Sequence, residues 1–281
     1  MTVTNFHTHN NLCDGKGSIE EYIVCAVEKG LTALGFSSHA PLPVSNNWTL
    51  SDENLSVYLN QLEFQKKKWR ESLQIYTGLE IDYIPDIQAP GNARWKALNL
   101  DYAIGSVHST AGLDRNPEYK CVDGPLEDFL WLLEHIHTGS IQALCEAYYT
   151  RVCELVQIGG FNILGHLDLV KKRNLNSEFF EETQPWYRRQ VLTALNVMAK
   201  SQIILEINSG AISRQVLEEV YPSPWIIAEA FKKNIPMMIN SDAHQPQDVD
   251  FYFYESAELL RDIGCKEVWA LLDNCWTAIK L

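Results

Sequence analysis

Short apolar runs rich in β-branched and aromatic residues recur along the chain, each followed by a stretch whose apolar positions fall at helical spacing. Seven such runs occupy residues 3–6, 33–36, 75–81, 102–107, 162–165, 203–207 and 236–240. A strand that leads into a helix and then into another strand builds a parallel sheet, so the alternation predicts an α/β fold made of βα units. The first helix carries the clearest local signals. Ile19, Ile23, Ala26 and Val27 form its apolar stripe, Ser18 is placed as N-cap with Glu21 three residues on, and Gly30 ends it. Further helices are expected over 52–71, 125–137, 141–158, 185–200, 224–233 and 255–263, several opened by an early proline. The segments 40–51 and 111–124, with Pro41, Pro43, Asn46, Asn47, Pro117 and Gly124, read as long loops able to overhang a site.

Composition narrows the picture. With 281 residues, 46% hydrophobic and 21% charged, the chain can bury a full core, and no internal repeat or Gly/Ser linker divides it, so one domain over 1–281 is expected. Asp and Glu total 36 against 23 Lys and Arg, a net charge of -13 that repels a phosphate backbone. No nucleic acid or anionic membrane is expected as a partner, whereas a small anion is compatible, because bound cations invert the local charge. Seven cysteines, an odd set without a CxxC pair, read as free thiols of a reducing cytosol. The N-terminal residues lack a basic segment followed by an apolar one, and no run of about 18 apolar residues occurs, so a cytoplasmic chain without a membrane span is expected.

Ionisable residues stand at the C-terminal ends of the runs: His7 and His9, His39, Glu80, His108, His166, then Asp242 and His244, with Asn208 after the sixth run. In parallel α/β barrels functional side chains collect on that face. Any one of these histidines alone is more often a hydrogen-bonded packing residue than a ligand. Six of the eight histidines share this placement, however, and imidazole with carboxylate from several strands is the donor set of Zn, Mn and Fe sites. His7 and His9 lie two residues apart on one strand face and can approach the same ion, and Asp242 with His244 repeats the spacing. His135 and His137 sit in an apolar segment away from the strand ends and receive no chemistry. Neither a GxxxxGK[ST] nor a GxGxxG loop is present, and GxSxG is absent, which sets aside nucleotide cofactors and a serine nucleophile.

Taken in order, His7-Thr8-His9, Cys13-Asp14-Gly15, Ser38-His39, Gly78-Leu79-Glu80, Ser106-Val107-His108, Gly165-His166-Leu167-Asp168 and Ser241-Asp242-Ala243-His244 resemble the PHP (polymerase and histidinol phosphatase) family. The likeness runs from near residue 5 to residue 244 and is greatest to the stand-alone histidinol-phosphatase branch. The resemblance implies a distorted seven-stranded (β/α) barrel, TIM-like, with three divalent ions (Zn, Mn or Fe) at the C-terminal face of the strands. By the family pattern His7, His9, Glu80 and Asp242 hold one ion, and Glu80 bridges to a second held also by His108 and His166. Asp14, His39 and His244 surround a third; in some relatives a histidine takes the place of Asp14. The implied activity is hydrolysis of the phosphomonoester L-histidinol phosphate to L-histidinol and phosphate in histidine biosynthesis. A nucleotidase or phosphodiesterase on the same site is the alternative, and an inactive metal-binding scaffold is the reading from a different class.

Hydrolysis of a phosphate ester requires neutralised oxygens, a hydroxide near neutral pH and a stabilised leaving alkoxide, all within the reach of clustered divalent ions around a shared Glu80. Arg173, beyond His166-Leu167-Asp168, and Arg214, beyond Asn208-Ser209-Gly210, each read either as a phosphate-binding fork or as an exposed loop arginine. Asp168 reads as an orienter of a ligand, a proton donor or a helix N-cap. Asp114, Glu118 and Asp123 in the second loop are available to a cationic substrate group.

Overall fold

In the computed structural model, which describes residues 3–281, strands and helices alternate along most of the chain. Strands β1 (Thr4–Asn5), β2 (Ala33–Phe36) and β3 (Gln74–Thr77) form one parallel sheet in that order. Strands β4 (Glu80–Asp82), β5 (Ile104–Ser106), β6 (Ile163–Leu164), β7 (Ile204–Asn208) and β8 (Met237–Asn240) form a second parallel sheet, again in sequence order. Between and after them come α1 (Ile19–Glu28), α2 (Asp52–Trp69), the short α3 (Ala93–Lys96), α4 (Leu126–Trp131), α5 (Ile141–Ile158), α6 (Pro185–Met198), the short α7 (Gly210–Ser213), α8 (Pro224–Lys232) and α9 (Phe253–Ile263). Parallel neighbours need a crossover, and amphipathic helices supply it while covering the outer faces of the strands. The fold is α/β with parallel sheets.

Local chemistry explains the element ends. Ser18 and Glu21 form a reciprocal capping box at the start of α1, and Gly30, at φ +73°, turns the chain out of it. The stretch 125–137 is less regular than its periodicity predicts: α4 passes into a π-helical turn over Leu132–Ile136, which carries His135.

The run 75–81 is two strands. At Gly78 the chain passes from pairing with β2 to pairing with β5, and the ring of Tyr102 lies so close that a Cβ on Gly78 would stand 2.5 Å from it. The same ring crosses Gly35, and its hydroxyl donates to the Phe6 carbonyl (2.7 Å). Only glycine admits this approach of backbone to ring.

A C-terminal hairpin, β9 (Glu267–Leu272) with β10 (Cys275–Lys280), lies outside the seven runs. Its two-residue turn, Asp273-Asn274, has both residues at positive φ, the geometry that matches the twist of a hairpin.

Alternation along the strands separates two environments. In β7, Leu205 and Ile207 pack with the helices, whereas Ile204 joins an interior cluster with Phe6, Tyr76, Tyr102, Ile104, Ile163 and Met238, closed by Ala270 and Leu271 of β9. Glu206 and Asn208 follow Ile204 on the same strand face. The inner face thus changes from apolar to polar toward the strands' C-terminal ends, and the sequence-predicted ligands lie there. Among the described residues no helix is long and apolar enough to cross a membrane.

Candidate metal centre

The exits of β1 and β8 run side by side: His9 N–H donates to the Ala243 carbonyl (2.9 Å) and Ala243 N–H to that of His7 (3.1 Å). This pairing brings His7 and His9 to Asp242, whose Oδ1 lies 3.5 Å and 3.2 Å from their Nε2 atoms. A second parallel bridge, His39 to Glu80, joins the exit of β2 to the start of β4.

Glu80 is the point on which the imidazoles converge. Its Oε2 lies 3.1 Å from His7 Nε2, 3.5 Å from His9 Nε2 and 3.1 Å from His39 Nδ1. Its Oε1 lies 3.0 Å from His166 Nε2 and 3.6 Å from His108 Nε2. On the outer side Asp14 Oδ2 stands 3.1 Å from His244 Nε2 and 3.9 Å from His39 Nε2. All nine sequence-predicted ligands therefore meet in one pocket, with three overlapping sets close enough to share ions: His9, Asp14, His39 and His244; His7, His9 and Asp242; His39, Glu80 and His108.

Electrostatics keep these carboxylates ionised. Burial opposes the charge on Glu80, yet His39, His7 and His166 hold its carboxyl well below the usual range. Burial likewise opposes charge on Asp242, which Arg214 and His7 overcome. Burial together with His244 and His39 pushes His9 down to about 3, leaving a neutral ring with a lone pair. The nitrogens His9 Nε2 and His39 Nδ1 are buried without a hydrogen-bond partner, although carboxylate oxygens stand 3.2 Å and 3.1 Å away. At His9 Nε2 a lone pair faces the lone pairs of Asp242, an arrangement that a cation resolves, and imidazole with carboxylate suits Zn, Mn or Fe. The residues present fit divalent metal.

Two further carboxylates orient the rings. Asp82 Oδ1 lies 2.9 Å from His108 Nδ1, and although burial lowers His108, Asp82 raises it to about 10. Glu206 Oε1 lies 2.6 Å from His7 Nδ1. A carboxylate on the second nitrogen fixes a ligand's ring and tautomer. Sequence reasoning passed over both, though each left a signal: Asp82 is two residues beyond Glu80 on the same strand face, and Glu206 is an acid inside an apolar strand.

Beside the centre lies a cavity of about 460 Å³, and the loops 40–51 and 111–124 contribute Trp48, Glu118, Tyr119 and Asp123 to its wall. Leu42, Val44 and Trp48 from the first loop pack with Leu113, Tyr119 and Cys121 from the second around Ile84, so the roof has its own small apolar core. Arg214 lines the cavity and donates to the Asp242 carbonyl (3.0 Å) and to Asp242 Oδ2 (3.0 Å). Arg173 is placed differently: its guanidinium donates to the backbone carbonyls of Asp123 (3.2 Å) and Gly124 at the rim. Its neighbour Lys172, unassigned from sequence, lines the cavity with Nζ 3.0 Å from Asp123 Oδ2. Asp168 is buried below the site, where its Oδ2 accepts from Ser223 N–H (2.8 Å) and lies 3.2 Å from Lys171 Nζ, and its side chain does not cap the short helix that follows. Glu118 is paired with Lys120 at the rim, and Asp114 is exposed outside the cavity wall. His135 stacks on Trp131 and His137 bonds Thr110, both away from the ligands.

The chain is 30% identical over 267 residues to a Deinococcus radiodurans protein named probable histidinol-phosphatase, covering 93% of this chain and 94% of that one. It is 29% identical over 265 residues to the histidinol-phosphatase of Bacillus subtilis, covering 89% and 96%. The crystal structure of histidinol phosphate phosphatase from Lactococcus lactis, complexed with Zn, L-histidinol and phosphate, superposes with a TM-score of 0.72 at 17% identity, over 98% of this chain and 99% of that one, and so has the same fold. The PHP domain matches residues 5–210, most of the length, and the chain belongs to the PHP family.

Proposed function

We propose that the protein is a divalent-metal-dependent phosphomonoesterase that converts L-histidinol phosphate to L-histidinol and phosphate in histidine biosynthesis. The observation that carries this reading is the convergence of five imidazoles on Glu80, with two buried nitrogens left without hydrogen bonds, in a chain whose relatives are named for this activity along nearly their whole length.

Three ions are proposed. His7, His9, Glu80 and Asp242 would hold one, Glu80 with His108 and His166 a second, and Asp14, His39 and His244 a third. Bound there, divalent ions neutralise phosphoryl oxygens and acidify water. The chain's own groups do the rest. Arg214 faces the cavity with a planar fork suited to a phosphate oxygen, and Lys172 adds a second cation. Arg173 holds the carbonyls of Asp123 and Gly124 and so shapes the rim beside Lys172. Asp168, tied to Ser223, is read as steadying the turn that carries His166. Glu118 and Asp123 give the cavity acidic groups for the ammonium or imidazole of the leaving alcohol; burial opposes the charge on Asp123, but Lys172 and His108 keep it ionised.

The two sheets are read as arcs of one distorted seven-stranded barrel, with β3 and β4 as one interrupted strand and the Thr8–Ala243 and His39–Glu80 bridges as the seams. The whole chain is read as one domain, and its seven free cysteines suit a reducing cytosol.

The test is hydrolysis of histidinol phosphate and nucleoside monophosphates, read as phosphate release, and of an aryl phosphate diester, read as release of the aryl alcohol, with and without a chelator. Chelator-sensitive hydrolysis of histidinol phosphate in preference to the others is expected. Cleavage of the diester alone would overturn the assignment.

A further inference from the structure

We infer that Glu206 is a positioning residue that sets two of the proposed ligands, His7 and His166, on opposite sides of Glu80. The inference rests on the reading of those histidines as metal ligands. Glu206 is fully buried on the inward face of β7, and four donors occupy its carboxylate. Oε1 accepts from Asn240 Nδ2 (2.9 Å) and lies 2.6 Å from His7 Nδ1. Oε2 accepts from the backbone N–H of His166 (3.0 Å) and from Asn208 Nδ2 (2.9 Å). With two donors on each oxygen, Glu206 has no free lone pair directed at an ion, which separates it from the ligands themselves.

Each contact has a separate effect. A proton on His7 Nδ1, held by Glu206, leaves Nε2 as the nitrogen with the lone pair, and Nε2 faces Glu80 Oε2 at 3.1 Å. The bond to His166 acts through the backbone. His166 has φ +20°, a conformation side-chain-bearing residues rarely adopt, and its N–H is held by Glu206 while its Nε2 reaches Glu80 Oε1 at 3.0 Å. Gly165 keeps the approach open, since a Cβ there would stand 2.6 Å from Ser106 Oγ. Asn240, the second donor to Oε1, also accepts from Phe6 N–H (2.8 Å), so the frame returns to the residue before His7. A ligand leaving β1 and a ligand leaving β6 are thereby referenced to one carboxylate on β7.

Glu206→Gln tests this with little change of volume. The amide must turn its NH2 toward one pair of donors, those on the His7 side or those on the His166 side, and that pair loses its acceptor. The metal-free proteins are compared by circular dichroism, then titrated with Zn and with Mn, with affinity read by competition against a chromophoric chelator and stoichiometry by elemental analysis. Expected is a loss of about 10- to 100-fold in affinity for at least one ion, the range for loss of an outer partner of a ligand. At saturating metal, kcat on histidinol phosphate should fall while KM changes little. Unchanged affinity in Glu206→Gln would overturn the inference while leaving the metal reading standing. Failure of the unaltered chain to bind either ion would overturn both. A second measurement avoids any folding defect: in the metal-loaded unaltered protein, ring-nitrogen NMR, with His7 identified by the signal missing in His7→Gln, should show a protonated Nδ1. An unprotonated Nδ1 would also overturn the assignment.

Discussion

The hydroxyl of Tyr119 donates to Asp82 Oδ2 at 2.8 Å, and the other oxygen of that carboxylate lies 2.9 Å from His108 Nδ1. The roof loop is thus tied to a proposed metal ligand through one buried acid. Tyr119→Phe keeps the ring in its apolar cluster and removes only the bond, so a loss of about 1.5–3 kcal/mol in unfolding free energy is expected, as for a hydrogen bond to a charged group. Metal stoichiometry should be unchanged. Asp82→Asn should in addition weaken metal binding, and denaturant unfolding with elemental analysis of both variants checks the pair of outcomes.

Replacement of Glu80 by Gln should be the most damaging single change at the centre, because five imidazoles share its two oxygens. Turnover should fall by more than the roughly 100-fold that loss of an outer partner costs. His7→Ala and Asp242→Ala should also remove most of the turnover with the far-ultraviolet circular dichroism spectrum retained. Full activity in either would remove that residue from the ligand set.

Arg214 and Arg173 should part company kinetically. Arg214→Ala is expected to lower kcat/KM by roughly 10- to 100-fold, the equivalent of one lost charged hydrogen bond. Arg173→Ala, whose guanidinium serves rim carbonyls, should cost less and act mainly on KM. Steady-state kinetics on histidinol phosphate decide between them, and equal losses would place both forks on the substrate.

His137 offers a pH-dependent stability. Burial and then Arg115 push it down to about 4, so the fold prefers its neutral form. The unfolded chain protonates near the ordinary value of about 6.5. The contribution is therefore present above pH about 6.5 and is lost as the pH falls from there toward 4. Melting temperatures across that window should fall less steeply for His137→Gln than for the unaltered protein.

How much could be read beforehand follows from which residues announce themselves. A histidine or acid at the end of an apolar run is visible in the sequence, and eight of the nine proposed ligands were legible for that reason, whereas Asp14 was named only through the family resemblance; α1 was legible through Ser18, Glu21 and Gly30. Asp82 and Glu206 were not, because they lie inside strands and their partners come from other strands, in Glu206's case 199 residues away at His7. The break at Gly78 depends on the Tyr102 ring, a tertiary contact that periodicity does not contain. Arg173 and Lys172 are adjacent cations, and only the path of the 123–124 backbone decides which one faces the cavity. The hairpin stands outside the alternation of strand and helix, because here two strands meet directly at Asp273-Asn274.

That hairpin bears on chemistry it never touches. Ala270 and Leu271 are buried in the interior cluster with Ile204 and Met238, on the strand face that carries Glu206 two residues further along β7. A chain cut short before residue 267 would hold the same acids and imidazoles over a wet, leaky base, where every attraction among them is diluted by the higher dielectric. The last strands thus act as electrical insulation for those acids and imidazoles.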